Sequence, residues 1–495
     1  MSSGAAWGRI HRATVVVIAA ALLALFVREA VVARPFVGGQ DFTYEVLVSR
    51  DLANGVRDLP DARYEHLPGL QHFWRLAILA GGGSLASLQW IYLAVLALDL
   101  VLVGALARRI GGSAEAVLLA VVWTFTLDGA LQVYLACGET IALLPCLAGV
   151  LAWSGKPLRG REGLLRAIAL GAGLGLAVYV KRQAGLVALG AAALLPARLA
   201  REGAEPEATA PHAAEASRPE WRALVAIPLA ALSVFLTGIL LEGRGLEPLR
   251  ISLGVLARYQ AYGSALENEL LVVRGCPALL VGPALLVAWV VQLARRRPDP
   301  FLGFAAIAAS AVLLQFTKRP YAHHALLAAP FLALGVVALG RALPARASPV
   351  FLALALLLGA PLAHARYAGP PESERPWPTD EATRAEVAAL ARHVHPGEDV
   401  LLLPPEGRNE LHWILGTTAR SNPLGYGWAP ELAISLDGVR WPTVDAVIVL
   451  RPRSDYDLLH WVNHGCWPVV ASLPDRGFAP VFSGAVITVY RRKSG

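Results

Sequence analysis

The chain has 495 residues, of which 56% are hydrophobic and only 16% are charged. Soluble globular proteins are nearer half apolar and a quarter charged, so this composition excludes a soluble enzyme, a disordered protein and a disulfide scaffold, and it favours a polytopic membrane protein. The net charge of +7 does not indicate nucleic-acid binding, because the basic residues lie in short segments between apolar runs, as they do in membrane proteins.

Apolar windows that could cross a membrane occupy most of the first 365 residues. A helix needs about 20 largely apolar residues for this. We predict eleven spans, at residues 13–33, 84–107, 114–128, 132–153, 164–181, 184–199, 223–241, 276–294, 301–317, 322–341 and 349–365. The first window also resembles a signal peptide, because Arg9 and Arg12 precede it and Val31-Val32-Ala33 loosely resembles a cleavage site. A retained first helix gives a consistent topology for the rest of the chain.

The basic residues set the predicted orientation. With the N-terminus in the cytoplasm, every cytoplasmic loop is basic, as the positive-inside rule requires. The charges of these loops are Arg108 and Arg109; Lys156, Arg159, Arg161 and Arg166; Arg198, Arg201, Arg218 and Arg222; Arg295, Arg296 and Arg297; and Arg341 and Arg346. An odd number of helices then places the C-terminus outside, on the same side as a long first outer loop at 34–83.

The C-terminal part has the pattern of a small α/β domain. A helix is predicted at 380–395, where apolar residues share one face. Short apolar strands separated by Pro/Gly turns are predicted at 400–403, 445–450, 468–473 and 481–490. The predicted fold is therefore an all-α polytopic membrane domain at 1–365, which includes the loop at 34–83, followed by an extracytoplasmic α/β domain at 366–495.

Two acidic residues are candidates for chemistry. Asp41 follows the first span directly, and a short helix through Val46, Leu47 and Leu52 on the membrane surface would hold its carboxylate near the interface, where it could accept a proton. The other acids of this loop are interpreted as solvated. Glu139 lies at the outer end of the fourth span in an apolar context, where an ionisable group is a functional hypothesis by default. The alternative for Glu139 is a hydrogen-bonded structural carboxylate.

Two basic pairs, Lys181-Arg182 and Lys318-Arg319, lie at the outer ends of spans, where the topology rule disfavours positive charge. The chain has only four lysines, and two of them are in these pairs. A lipid phosphate at the interface would compensate the charge, since Arg binds phosphate through two hydrogen bonds and Lys acts as a compact charge. The alternative is snorkelling towards the lipid headgroups.

The glycine-rich run 171–175 lies inside an apolar span, and no strand precedes it. We therefore predict a surface for close helix packing and no nucleotide-binding loop.

Taken in order, these features resemble the C-type (GT-C) glycosyltransferase superfamily, in particular bacterial polyprenyl-phosphate-sugar transferases related to protein O-mannosyltransferases and lipid A aminoarabinose transferases. The resemblance covers most of 13–365. The motifs that carry it are Asp41, Tyr64-Glu65-His66-Leu67-Pro68-Gly69-Leu70, Gly138-Glu139-Thr140, Gly173-Leu174-Gly175-Leu176-Ala177-Val178-Tyr179-Val180-Lys181, and Lys318-Arg319-Pro320-Tyr321-Ala322-His323-His324 with the helix after it. The chain has Asp41-Phe42 where many members have Asp-Glu.

The resemblance implies transfer of a sugar from a polyprenyl-phosphate-linked donor to a lipid, glycan or protein acceptor at the outer face of the bacterial inner membrane. It implies that Asp41 is the general base or acceptor positioner and that Glu139 is a second acid. The implied ligands of the donor phosphate are Lys181, Arg182, Lys318 and Arg319, and the implied substrate contacts are Tyr64, His66, Tyr321, His323 and His324. The resemblance gives no definite cofactor, and a divalent metal bound by the two acids is left open.

Two other classes of function remain as alternatives. A transporter or flippase for a lipid-linked or anionic solute would also use outer basic pairs and intramembrane acids. The long acidic first loop, the outer domain, the odd helix count and the lack of an inverted repeat speak against it. A receptor or assembly subunit is the second alternative, but eleven spans are more than anchoring needs.

Overall fold

The computed structural model describes residues 40–55, 67–130, 138–154, 160–190, 221–241, 243–260, 277–314, 322–343, 351, 381–404, 410–419, 421, 436, 439–452, 458 and 461–493. The chain divides into two compact units. The first comprises Met1–Arg34, Gln89–Gly245 and Gly263–Gly369, and the second comprises Pro35–Leu88, Leu246–Tyr262 and Pro370–Gly495.

Helices dominate the described part of the chain. In chain order they are α1 (Gln40–Ala53), α2 (Pro68–Gly81), α3 (Leu85–Gly111), α4 (Ala114–Ala130), α5 (Gly138–Trp153), α6 (Gly160–Val180), α7 (Gly185–Ala188), α8 (Trp221–Leu240), α9 (Glu247–Gln260), α10 (Val281–Ala294), α11 (Pro300–Leu314), α12 (Ala329–Ala342), α13 (Glu381–Leu390), α14 (Glu410–Ile414) and α15 (Cys466–Ser472). The strands are β1 (Val400–Leu403), β2 (Ala446–Leu450), β3 (Phe478–Ser483) and β4 (Ile487–Arg492).

The first unit is built from apolar helices. Among the described residues, four helical segments are long and apolar enough to cross a membrane, namely Ser87–Gly111, Gly160–Val180, Trp221–Leu240 and Ala325–Ala342. Shorter apolar helices lie at Ala116–Phe125, Gly138–Trp153, Val281–Ala294 and Pro300–Leu314. All coincide with predicted spans. The predicted span 13–33, and 349–365 except for residue 351, lie outside the described residues, and 184–199 is described only to residue 190.

Close backbone contact joins α6 to α8. A Cβ atom at Gly171 would collide with the carbonyl oxygen of Ile227, and one at Gly175 would collide with the carbonyl oxygen of Ala231. Only glycine allows the two backbones to approach so closely. The prediction that the glycine-rich run is a helix-packing surface is confirmed.

Basic residues link several helix ends at one end of the first unit. The Arg109 guanidinium, near the end of α3, donates to the Leu151 carbonyl at 2.7 Å and to the Ser154 hydroxyl, which lie at the end of α5. Arg341, near the end of α12, donates to the Ile110 carbonyl at 3.2 Å. Arg109 and Arg341 belong to the loops predicted as cytoplasmic, and Arg109 contacts the end of α5 opposite to Glu139.

The C-terminal part of the second unit holds a four-stranded sheet in the order β1-β2-β4-β3. The first two strands are parallel, and the other pairings are antiparallel. Because side chains alternate along a strand, Val400 and Leu402 join the core on one face with α13, whereas Leu401 and Leu403 join the core on the other face. Both faces of β1 and β2 are therefore buried.

Two of the predicted strands are wrong. The segment 468–473 is not a strand, because residues 468–472 belong to α15. A short apolar run does not distinguish strand from helix by its pattern. Pro468 is tolerated in a first helical turn. The segment 481–490 is a hairpin of β3 and β4. Glu386 of α13 stabilises its turn by accepting hydrogen bonds from the backbone N–H groups of Ala485 at 2.7 Å and Ile487 at 3.0 Å. The helix predicted at 380–395 is α13, and the strands at 400–403 and 445–450 are β1 and β2.

Candidate functional site

Glu139 and Lys181 form a buried ion pair within the first unit. Glu139 lies in the first turn of α5, and Lys181 follows the last residue of α6. The Lys181 Nζ atom is 3.1 Å from the Glu139 Oε1 atom, and the two side chains are 7% and 1% exposed. Sequence analysis predicted both residues as parts of a site but assigned them to different tasks. The structure brings them into direct contact.

The packing of α5 against α6 explains why these residues meet. A Cβ atom at Gly173 of α6 would collide with the Pro145 carbonyl oxygen of α5, so the absent side chain lets the helices approach closely. A Cβ at Gly149 of α5 would lie 3.2 Å from the backbone of Leu170. These contacts, read along both helices, show an antiparallel pair. The start of α5 therefore lies beside the end of α6.

The helix ends favour the charges they carry. The N-terminus of a helix bears partial positive charge and the C-terminus partial negative charge. Glu139 lies at the start of α5 and Lys181 at the end of α6, so each charge complements its own helix as well as its partner. Burial excludes the screening that weakens exposed ion pairs. The arrangement therefore holds the Lys181 ammonium at a buried position beside Glu139.

The start of α5 is also tied to α3. Thr140 follows Glu139, and its hydroxyl accepts a hydrogen bond of 3.0 Å from the Tyr92 hydroxyl of α3. Both residues are buried. Sequence analysis missed Tyr92, which lies within an apolar span and belongs to no charged motif. Three helices thus converge at the ion pair.

The residues after Lys181 form a 3-10 turn, Arg182–Ala184, which contacts α5. Arg182 is half-buried. Gln183 is 6% exposed, and its Oε1 atom has no hydrogen-bond partner among the residues that the structure describes. An amide oxygen of this kind can accept from a hydroxyl or amine. Sequence analysis missed Gln183 because it is neutral, although its position directly after the Lys-Arg pair was a signal.

The late basic segment is described only in part. His323 and His324 lie in the 3-10 helix Ala322–Leu327, which contacts α5 in the same unit; their side chains lie outside the description. Lys318, Arg319 and Tyr321 lie outside the described residues. The backbone thus brings two predicted motifs, the turn after Lys181 and the segment of the two histidines, against the helix that carries Glu139.

The first outer loop contains α1, as the sequence predicted. Asp41 lies in its first turn, with its side chain outside the description, and the predicted contacts Tyr64 and His66 lie outside the described residues. The expectation that the other acids of this loop are solvated is wrong for two of them. Glu45 and Asp51 are 2% and 0% exposed.

The apolar residues of α1 are also buried within the protein. Val46, Leu47 and Leu52 are at most 4% exposed, because α1 packs against α2. The expected helix lying on the membrane surface with these side chains turned to lipid is therefore wrong.

Within the described part of the chain, no three His, Cys, Asp or Glu side chains are grouped so that they could hold a metal ion.

No protein-family model matches the sequence, and no curated protein matches it. Solved structures do match its fold. ArnT from Cupriavidus metallidurans, solved with undecaprenyl phosphate, superposes with a TM-score of 0.52 at 13% identity over 95% of this chain and 98% of that chain. AglB, the archaeal oligosaccharyltransferase from Archaeoglobus fulgidus, solved with an inhibitory peptide and a dolichol-phosphate, gives a TM-score of 0.51 at 13% identity over 95% of this chain and 74% of that chain.

Both of these proteins are GT-C glycosyltransferases. The likeness covers nearly the whole chain, so the chain has the GT-C fold that its motifs predicted. Together with the apolar helices of the first unit, this fold makes it a multi-pass membrane protein.

Proposed function

We propose that this chain is a membrane glycosyltransferase that moves a sugar from a polyprenyl-phosphate-linked donor to a lipid, glycan or protein acceptor at the outer face of the bacterial inner membrane. The observation that carries the proposal is the buried ion pair of Lys181 and Glu139 at one end of a GT-C membrane unit. The structural neighbour ArnT holds undecaprenyl phosphate, the leaving group that such a reaction would release.

Lys181 would bind the phosphate of the donor lipid. Its ammonium is already desolvated and held in place by Glu139, so little ordering is left to do when an anion arrives. Arg182 follows in the next turn, and Lys318 with Arg319 would add charge from the late segment. Charge-assisted contacts of this kind are about twice as strong as neutral hydrogen bonds.

Glu139 would serve mainly to hold Lys181 in place. Its carboxylate lies 3.1 Å from the Lys181 ammonium, so the ion pair sets where that ammonium meets the donor phosphate. In this proposal, the second acid of the motif acts on the phosphate ligand and does not touch the reacting carbon.

The chemistry would be a direct displacement at the anomeric carbon. The acceptor oxygen or nitrogen forms the new bond while the bond from the anomeric carbon to the phosphate oxygen breaks, and the electron pair leaves with the polyprenyl phosphate. Asp41 would take the acceptor proton. Because phosphate leaves readily once its charge is matched, the protein supplies mainly positioning and electrostatic stabilisation.

The finer topology is part of the same proposal. Eleven spans with a cytoplasmic N-terminus would place the α/β domain at 366–495 and the loop at 34–83 outside, beside the acceptor. The basic end built by Arg109 and Arg341 supports this orientation, since positive charge is typical of the cytoplasmic side.

The test is binding of undecaprenyl phosphate to protein in lipid nanodiscs, followed by transfer from an undecaprenyl-phosphate-linked sugar. The variant is Lys181→Met with Glu139→Leu, because the single change would break a buried ion pair from one side only. Loss of charge-assisted contacts worth about 1.5–3 kcal/mol should weaken lipid binding about 10- to 100-fold. Lys493→Gln, which changes an exposed lysine after β4, is the matched control.

Two outcomes would contradict the proposal. If the double variant binds undecaprenyl phosphate within twofold of wild type, Lys181 is not part of the phosphate site. If wild type binds the lipid but releases no undecaprenyl phosphate from the sugar-linked form with any acceptor class, the transporter alternative is favoured.

A further inference from the structure

Arg50 attaches helix α1, which carries Asp41, to the C-terminal part of the second unit. The Arg50 Nη1 atom donates to the His412 carbonyl oxygen at 3.1 Å, and Nη2 donates to the Thr417 carbonyl oxygen. The guanidinium also lies over the Trp413 ring, with 4.9 Å between its central carbon and the ring centroid. One planar group therefore contacts three residues of a single segment.

The next residue of α1 adds a further contact to the same segment. Asp51 is fully buried, and its Oδ2 atom accepts from the Ala419 backbone N–H at 3.5 Å. Its Oδ1 atom is 3.7 Å from Arg50. Consecutive side chains of α1 thus reach the two ends of the segment 412–419, and this fixes the direction of the helix as well as its distance.

The segment that receives Arg50 is internally braced. The His412 ring and the Thr417 hydroxyl are 3.0 Å apart, and the Thr417 N–H donates to the His412 carbonyl at 3.0 Å. The Thr418 N–H donates to the Glu398 carbonyl at 2.8 Å. Thr418 also pairs with Asp399, directly before β1. The segment 412–419, which holds α1, is therefore continuous with the sheet.

We propose that Arg50 is a positioning residue: by fixing α1 on the segment 412–419, it holds the Asp41 end of the helix at a set place. The inference rests on the proposed function, in which Asp41 accepts the proton. Asp41 and Arg50 are on one helix, about 14 Å apart along its axis at 1.5 Å per residue. A tilt at the anchored end therefore displaces the other end, and a misplacement of about 1 Å can cost about 100-fold in rate.

The geometry of the Arg50 contacts indicates that they set the orientation of α1 and do more than hold it against the segment 412–419. An apolar side chain could also cover the Trp413 ring, but it would not select one angle for the helix. Arginine presents its donors in a rigid plane, and here two of them reach carbonyls of different residues while the plane lies over a ring. The contact is satisfied at one orientation of α1.

The test separates catalysis from docking. Arg50→Gln should lower kcat about 10- to 100-fold while KM for the undecaprenyl-phosphate-linked sugar stays within twofold, because the donor site lies in other residues. Hydrogen exchange of residues 40–53 should become faster, and exchange of α5 should not change. Arg50→Lys keeps the charge but loses the two parallel donors of the guanidinium. Its kcat should therefore lie between that of Arg50→Gln and that of wild type.

Further variants keep the proposal testable if Arg50→Gln does not fold. Trp413→Ala should repeat the kcat effect, and Trp413→Phe, which retains a ring face for the guanidinium, should rescue most of it. Arg392→Gln, at an exposed arginine after α13, is the matched control and should behave as wild type. An equal fall of kcat in Arg392→Gln would overturn the positioning role.

Two more results would refute the inference. Unchanged exchange of residues 40–53 in Arg50→Gln would show that Arg50 does not hold α1, and faster exchange with wild-type kcat would show that holding α1 does not matter for transfer. A wild-type chain that transfers no sugar would overturn the proposed function instead, and the attachment of α1 would then be judged by hydrogen exchange alone.

Discussion

Removal of one partner of the buried ion pair should damage the fold more than removal of both. Lys181→Met removes the ammonium that lies 3.1 Å from the Glu139 carboxylate, whose side chain is 1% exposed. The attraction between unit charges at 3.1 Å is about 5 kcal/mol at an effective dielectric constant of about 20. Measured losses for breaking one side of a buried pair are about 3–5 kcal/mol. The two figures agree, so we expect a clear loss of stability.

The double variant should recover most of that loss. Lys181→Met with Glu139→Leu replaces the pair by apolar side chains of similar size, a change that is often neutral or stabilising for buried pairs. Thermal unfolding followed by intrinsic tryptophan fluorescence, at one heating rate in the same nanodiscs, ranks the variants. We expect wild type and the double variant to unfold above both single variants.

Additive losses would refute this reasoning. If the double variant unfolds below either single variant, the two side chains contribute independently, and the contact between them carries no coupling energy. If Lys181→Met unfolds at the wild-type midpoint, Glu139 is compensated by other groups, and Lys181 is free for a role without a structural cost.

Three further predictions concern the rest of the site. Asp41→Asn should lower sugar transfer by about 100-fold or more at normal abundance, measured as release of undecaprenyl phosphate; near wild-type transfer would exclude Asp41 as the base. Gly173→Leu should reduce the folded yield in size-exclusion chromatography, because its side chain would separate α5 from α6, whereas Gly104→Ala, where a Cβ meets atoms no nearer than 3.5 Å, should be tolerated. Single cysteines at Ser373 and Ala62 should both react with an impermeant thiol reagent in intact spheroplasts; reaction only after lysis would refute the topology.

The native cysteines affect the labelling experiment. Cys466 is fully buried in the core under the sheet, and burial raises the pKa of its thiol to about 12. Because the thiolate is the reactive form, Cys466 should remain unlabelled in folded protein. Labelling of the parent chain without added cysteines provides the baseline for both positions.

Sequence reasoning singled out both members of the ion pair but not their contact. Glu139 and Lys181 each stood out as a charge at the end of an apolar span, which is a local property. Their pairing depends on the antiparallel packing of α5 and α6, and that packing depends on a missing side chain at Gly173 beside the Pro145 carbonyl. The glycine run predicted a packing surface, but a sequence does not say which helix lies against which glycine.

The attachment of α1 shows a second limit. Arg50 and His412 are 362 positions apart, and neither lies in a motif. Loop acids such as Asp51 were expected to face solvent because acidic residues usually do. Asp51 is buried here beside the segment 412–419, where the Ala419 backbone N–H donates to its carboxylate. Long-range contacts of this kind are absent from local patterns, whereas apolar helices and alternating strands are local and were predicted.

The ion pair itself argues for an anionic ligand. A buried salt bridge is weak evidence for stability, because the cost of desolvating two charges often exceeds what their attraction returns. An apolar pair at positions 139 and 181 would then pack as well or better. What an apolar pair cannot supply is a buried ammonium group held ready for an anion. If the double variant proves as stable as wild type and yet fails to bind undecaprenyl phosphate, stability is excluded as the reason for the pair. The lysine is then explained by the phosphate that it binds, and the glutamate by the ion pair that holds that lysine in place.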